Sequence, residues 1–149
     1  MEYSSVNYYR CSLVKEREVP YGQITDGDQV LSICKAIGLT DASEEFMYMF
    51  CCDTSNKIMG IHQIGHGKQN AAYIDTKDIF KRALLNNAMA IILAHNHPSG
   101  DNTPSQADID FTRKIQEVCK LLGVHLLDHI IVTSEDTYFS FLEHGNINK

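Results

Sequence analysis

Long apolar runs are missing from this 149-residue chain: the most continuous, Ala88 to Ala94 and Val124 to Leu127, fall far short of the roughly 20 residues that cross a bilayer. No helical membrane span is expected. The opening residues Met-Glu-Tyr-Ser-Ser-Val-Asn lack the basic segment and apolar run of a secretory leader, so the expected compartment is the cytoplasm. Cysteines are few and irregular. Cys11, Cys34, Cys51, Cys52 and Cys119 make an odd number without C-x-x-C spacing, which indicates neither a disulfide framework nor a thiolate zinc site and leaves reduced core residues. Positive charge is short as well. Thirteen Lys+Arg against nineteen Asp+Glu leave a net charge of −6, which repels a polyanion and disfavours sequence-independent coating of DNA. The three prolines, Pro20, Pro98 and Pro104, fall at element boundaries, and no repeat, low-complexity tract or linker divides the chain.

What is present reads as one α/β domain over residues 1–149, with a core from about 6 to 145 and a short polar tail from Glu143. Val6 to Val14 is rich in aromatic and β-branched residues and predicts a strand ending before Pro20 and Gly22. Asp26 or Asp28 caps a helix with Val30, Ile33, Cys34 and Ile37 on one face, stopped by Gly38. Phe46 to Cys51 and Lys57 to Ile64 predict a hairpin around Asp53-Thr-Ser-Asn56. A helix near Thr76 to Asn87 turns Ile79, Phe80, Ala83 and Leu84 inward. Ala88 to Ala94, apolar throughout, predicts a central strand buried on both faces. A third helix from about Ser105 carries Phe111, Ile115, Val118 and Leu122 and stops at Gly123, and strands at Val124 to Val132 and Tyr138 to Phe141 complete a mixed sheet flanked by helices.

The chemistry sits after the central strand, in His95-Asn-His97-Pro-Ser-Gly-Asp-Asn-Thr-Pro-Ser105-Gln-Ala-Asp108. Imidazoles at i and i+2 share one side of a strand, and neutral imidazole is a good ligand for a divalent ion. Asp108, in the first turn of the next helix, can complete a His2Asp set with a fourth position for water, the open arrangement of catalytic sites. Alone, Ser105-x-x-Asp108 is equally a capping box that satisfies the first N–H groups of a helix. Two histidines on the most buried strand, followed by that acid, favour the metal site.

His-x-His, seven residues, then Ser-x-x-Asp resembles the motif of the JAB1/MPN/Mov34 (JAMM) metalloproteases. The strings His95-Asn-His-Pro-Ser-Gly100, Pro104-Ser-Gln-Ala-Asp108 and Leu127-Asp-His-Ile-Ile131 resemble in particular the RadC-like branch, often labelled DNA repair proteins, over roughly Val6 to Gly145. The resemblance implies a three-layer architecture like that of JAMM proteins and cytidine deaminases. It implies Zn2+ on His95, His97 and Asp108, Ser105 as an oxyanion donor, and an upstream glutamate as general base. In Glu44-Glu45-Phe46 that base matches Glu44, with Glu45 as the fallback; if the strand begins at Glu44, alternation puts the two acids on opposite faces, so one serves. Asn96 stands where many JAMM proteins have Ser or Thr, as in the RadC-like branch. The chain resembles the short stand-alone form, in which the helical N-terminal region of longer RadC proteins, resembling a helix-hairpin-helix module, is not expected.

The implied activity is zinc-dependent hydrolysis of a peptide or isopeptide bond in a peptide or protein substrate. Ubiquitin-chain cleavage is not carried over, because the loops eukaryotic relatives use for it are not recognisable. The alternatives are a DNA-processing accessory factor, which the net charge does not favour, and a protein-binding module with an inert metal site. Other signals carry less. Gly60 to Lys68 lacks the Lys-Ser or Lys-Thr of a phosphate loop. His62 and His66, a same-face pair that could in principle bind metal, read instead as partly exposed side chains, Ser99 has no nucleophile elbow, and His125 and His144 are surface residues. Asp128-His129 is either a carboxylate–imidazole pair supporting the site or a satisfied buried pair.

Overall fold

In the computed structural model, which describes residues 7–19, 21, 24–67 and 74–147, the elements follow in the order α1 (Gly27–Ala36), β1 (Phe46–Cys52), β2 (Ile58–His66), α2 (Thr76–Leu85), β3 (Ala90–Asn96), α3 (Gln106–Leu122), β4 (His125–Val132) and β5 (Tyr138–Ser140). The five strands form one sheet in the order β2-β1-β3-β4-β5. β1 runs antiparallel to β2 and β3, β3 and β4 are parallel, and β5 returns antiparallel to β4. The parallel pair needs a crossover, which α3 supplies.

Alternation along the strands sorts the core into two layers. Met47, Met49 and Cys51 of β1, with Ile91 and Leu93 of β3, pack with Ile79 and Phe80 of α2 and with Phe111 and Ile115 of α3. Phe50 and Cys52, with Ala90, Ile92 and Ala94, pack with Val30, Ile33 and Cys34 of α1. The result is a mixed five-stranded sheet between α2 and α3 on one face and α1 on the other, a single α/β domain. All seven residues of β3 are buried. Each large apolar side chain there contributes on the order of 1.5–3 kcal/mol, so packing on both faces holds this strand at the sheet centre.

The helix ends follow their sequence signals. Asp26 caps α1, its carboxylate accepting from the Asp28 and Gln29 N–H groups, and α3 ends at Gly123, whose φ of +69° is a left-handed conformation that favours glycine. One strand irregularity has consequences for the site. Ile91 and Ile92 of β3 face Leu126 and Asp128 of β4, leaving Leu127 as the extra residue of a bulge.

Several expectations are corrected. Residues 7–14 are exposed and without regular structure rather than a strand, because β propensity makes no strand without a ladder partner; Val6, Pro20, Gly22 and Lys68 lie outside the described residues. Leu84 is 57% exposed and Leu122 43%, since the buried stripe of α2 is the narrower set Ile79, Phe80 and Ala83 and that of α3 ends on Cys119. Cys11 is exposed, unlike the other four cysteines. The segment after Glu143 is no mere polar tail, for the Asn146 N–H bonds the Phe141 carbonyl and Ile147 is buried in the α3-side core. Among the described residues no helix is long and apolar enough to cross a membrane.

Candidate metal centre

β3 continues two residues beyond its apolar run, through His95 and Asn96, because both stay paired in the ladder: His95 opposite Met47 and Ile131, Asn96 opposite Val132. Alternation turns the His95 side chain to the α3 layer and Asn96 to the α1 layer. His97 follows, its N–H bonded to the Val132 carbonyl. Ser105 caps α3, and Asp108 stands at its third position, so the capping box forms as the sequence suggested.

The same cap delivers Asp108 to the histidines. His95 Nε2 lies 3.3 Å from Asp108 Oδ1 and 3.0 Å from His97 Nε2, and His97 Nε2 lies 3.5 Å from Asp108 Oδ2. Tetrahedral zinc with ligand bonds of about 2.0–2.1 Å spaces its ligand atoms by roughly 3.3 Å, so the spacing suits such an ion. The side chains are secluded, at 6% exposure for His95 and 7% for Asp108. Among the described residues these three are the one group of three or more potential ligands that converge.

Hydrogen bonds aim each ligand atom. His97 Nδ1 is 2.8 Å from the Asp101 carbonyl, an acceptor only, so Nδ1 carries the proton and the neutral ring leaves a lone pair on Nε2. Asp108 Oδ2 accepts from the Ser105 N–H at 2.8 Å and the Ser105 hydroxyl at 2.7 Å, which leaves Oδ1 toward His95. Burial alone would raise the Asp108 pKa, but the adjacent imidazoles of His95 and His97 and the bonds from Ser105 outweigh it and hold the carboxyl well below its ordinary range. Burial likewise opposes protonation of His97, yet Asp108, the Asp101 carbonyl and the Glu45 charge together raise it. His95 Nδ1 points inward, 2.8 Å from Nε2 of the fully buried His129.

The two upstream acids part company. β1 begins at Phe46, so Glu45 falls on the α3 side with Met47 and Glu44 on the other. Glu44 Oε2 lies 2.7 Å from His66 Nε2, and the His66 ring stacks on Phe46. Glu45 instead lines, with Met47, His66, His95 and Asp108, a cleft of about 20 Å³, room for roughly one water. Asn96, 1% exposed, clamps the approach to β1. Its Oδ1 accepts from the Phe46 N–H, and its Nδ2 donates to the carbonyls of Ala42 and Glu44.

Sequence reasoning missed Asn96 as a clamp, and also Thr112, whose hydroxyl lies 2.6 Å from both the Asp108 carbonyl and His129 Nδ1. A signal for Thr112 existed, since it follows Asp108 by one helical turn. The carboxylate–imidazole pair at Asp128-His129 does not form. Adjacent side chains leave a strand on opposite faces, so Asp128 takes the backbone N–H groups of His129 and Leu142 and the Ser140 hydroxyl instead. His62 pairs with Asn86 and His66 with Glu44, apart from the metal group. Ser99 accepts the Asp101 N–H in the loop.

Comparison with known proteins agrees with this geometry. The RadC-like JAB domain matches residues 24–146. A UPF0758 protein of Geotalea uraniireducens (strain Rf4) is 40% identical over 105 residues, 70% of this chain and 46% of the relative. One from Finegoldia magna is 41% identical over 115 residues, 76% and 51% of the two chains, and one from Pseudomonas syringae pv. tomato is 42% identical over 104 residues, 70% and 46%. The chain thus spans about half the length of the curated relatives it matches. With the match running from before α1 to beyond β5 and taking in the whole His95, His97, Asp108 group, the chain belongs to the RadC-like JAB domain family.

Proposed function

We propose that this protein is a zinc-dependent hydrolase of peptide or isopeptide bonds, with the ion held by His95 Nε2, His97 Nε2 and Asp108 Oδ1. The observation that carries the reading is the convergence of two imidazole nitrogens and a secluded carboxylate oxygen, with the outer nitrogen of His97 already committed as a donor. This donor set fits zinc, though other divalent ions accept the same ligands. Bound zinc supplies Lewis acidity, bringing the pKa of a water down to about 7.

Glu45 is the base in this reading, because it borders the water-sized cleft beside His95 and Asp108 while Glu44 is engaged with His66. It takes the proton of the attacking water and returns it to the leaving amine. Ser105 spends its hydroxyl proton on Asp108 Oδ2; to stabilise an oxyanion that hydroxyl rotates away, and the Ser105 N–H keeps the carboxylate aimed meanwhile.

The test is metal content by plasma mass spectrometry for wild type and for folded His95→Ala and Asp108→Ala, followed by a peptide and isopeptide substrate screen. Expected are near-stoichiometric zinc in wild type and its loss in both variants. Glu45→Gln keeps zinc and loses about 10²–10⁴-fold in hydrolysis, whereas Glu44→Gln retains activity. A wild-type protein without metal after zinc reconstitution would falsify the proposal.

A further inference from the structure

We infer that His129 and Thr112 form a buried positioning relay that fixes the tautomer and ring plane of His95 and so presents its Nε2 to the metal as a lone pair. The inference rests on the reading of the site as a metal centre. It follows from counting hydrogens along three contacts. Thr112 Oγ1 lies 2.6 Å from the Asp108 carbonyl oxygen, which can only accept, so the single hydroxyl hydrogen is spent there. The 2.6 Å contact between the same oxygen and His129 Nδ1 is therefore a bond that His129 donates.

A neutral imidazole has one N–H. His129 is fully buried, and its ring meets Thr112, His95, Phe111 in a T-shaped contact and the face of Phe141, with no carboxylate among the described residues bonded to the imidazole. Such surroundings keep it uncharged. Its Nε2 is then an acceptor, and the 2.8 Å bond to His95 Nδ1 is donated by His95. His95 Nε2 is left bare, facing Asp108 Oδ1 and His97 Nε2.

The relay is also mechanical. Phe141 stacks on His129 at 4.8 Å with planes 9° apart, fixing the ring that orients His95. Three hydrogen bonds run from the Asp108 backbone carbonyl through Thr112 and His129 to His95 Nδ1, so α3 is tied to β4 and β3, and the bare His95 Nε2 at the end of the chain faces the Asp108 carboxylate. Partners of this kind are worth about 10–100-fold in metal affinity.

Thr112→Val removes the hydroxyl at nearly constant shape, Thr112→Ser restores it, and His129→Phe keeps a ring without nitrogens. Two measurements follow: long-range 1H–15N imidazole spectra of the metal-free protein, and the zinc dissociation constant by competition with a chromophoric chelator. Expected are a His95 held as the Nδ1–H tautomer in wild type and Thr112→Ser and released from it in Thr112→Val, with zinc binding about 10–100-fold weaker in Thr112→Val and His129→Phe. Unchanged tautomer and affinity in Thr112→Val, with its fold intact by thermal melt, overturn the relay and make His129 a packing residue. Wild-type protein that takes up no zinc overturns the metal reading together with this inference, so the two failures are told apart.

Discussion

Asp108 and Asp128 are both buried carboxylates, yet their surroundings give them opposite characters. Asp128 spends both oxygens on the chain's own donors, the Ser140 hydroxyl and the N–H groups of Leu142 and His129, and burial leaves its pKa raised. Asp108 spends one oxygen on Ser105 and turns the other toward His95, and its pKa is lowered. Burial of an acid therefore does not mark a ligand. The mark is an oxygen left for partners that are themselves lone-pair donors.

The contrast can be broken from either side. Asp108→Ala should remove zinc, an effect larger than the roughly 100-fold that outer partners are worth, as read by chelator competition. Asp128→Ala should do the reverse, leaving zinc affinity unchanged while stranding the Ser140 and Leu142 donors. A loss of about 3 kcal/mol, near 10 °C in Tm, is expected in a calorimetric melt. Asn96→Ala falls between the two, because it frees the Phe46 N–H and the backbone beside Glu45. Stability should drop by about 2 kcal/mol and hydrolysis by about 10- to 100-fold at constant zinc content.

The smallest effect is on pH dependence. Since the folded pKa of Asp128 lies above its unfolded value, the native state binds this proton more tightly, and the resulting stabilisation is present in acid and lost as pH rises through the folded pKa. Denaturant melts across pH should therefore show wild type losing stability relative to Asp128→Asn as pH climbs out of the ordinary carboxylate range. A difference that is flat with pH would show that Asp128 is not held in this way.

The sheet, the helix caps and the His95, His97, Asp108 group were legible because each is written in short-range spacing: alternation in β1, an apolar run in β3, a cap three residues before its acid. What escaped depends on residues far away in the chain. Glu44 is drawn to His66, 22 residues later, and the chain at Phe46 is held by Asn96, 50 residues later. The Thr112 and His129 contacts arise only when α3 crosses over to lay β4 beside β3. Residues 7–14 have strand-like composition, but composition does not provide a neighbour.

The bulge at Leu127 bears on how electrophilic the centre can be. Without that extra residue the phase of β4 would reverse, bringing Asp128 rather than His129 to the α3 face beneath His95. A carboxylate there would feed negative charge through His95 and bring a dication with Asp108 close to neutrality. With a neutral imidazole in its place, a divalent ion held there with its ligands would keep one net positive charge, and a water bound to it would be the more acidic for it.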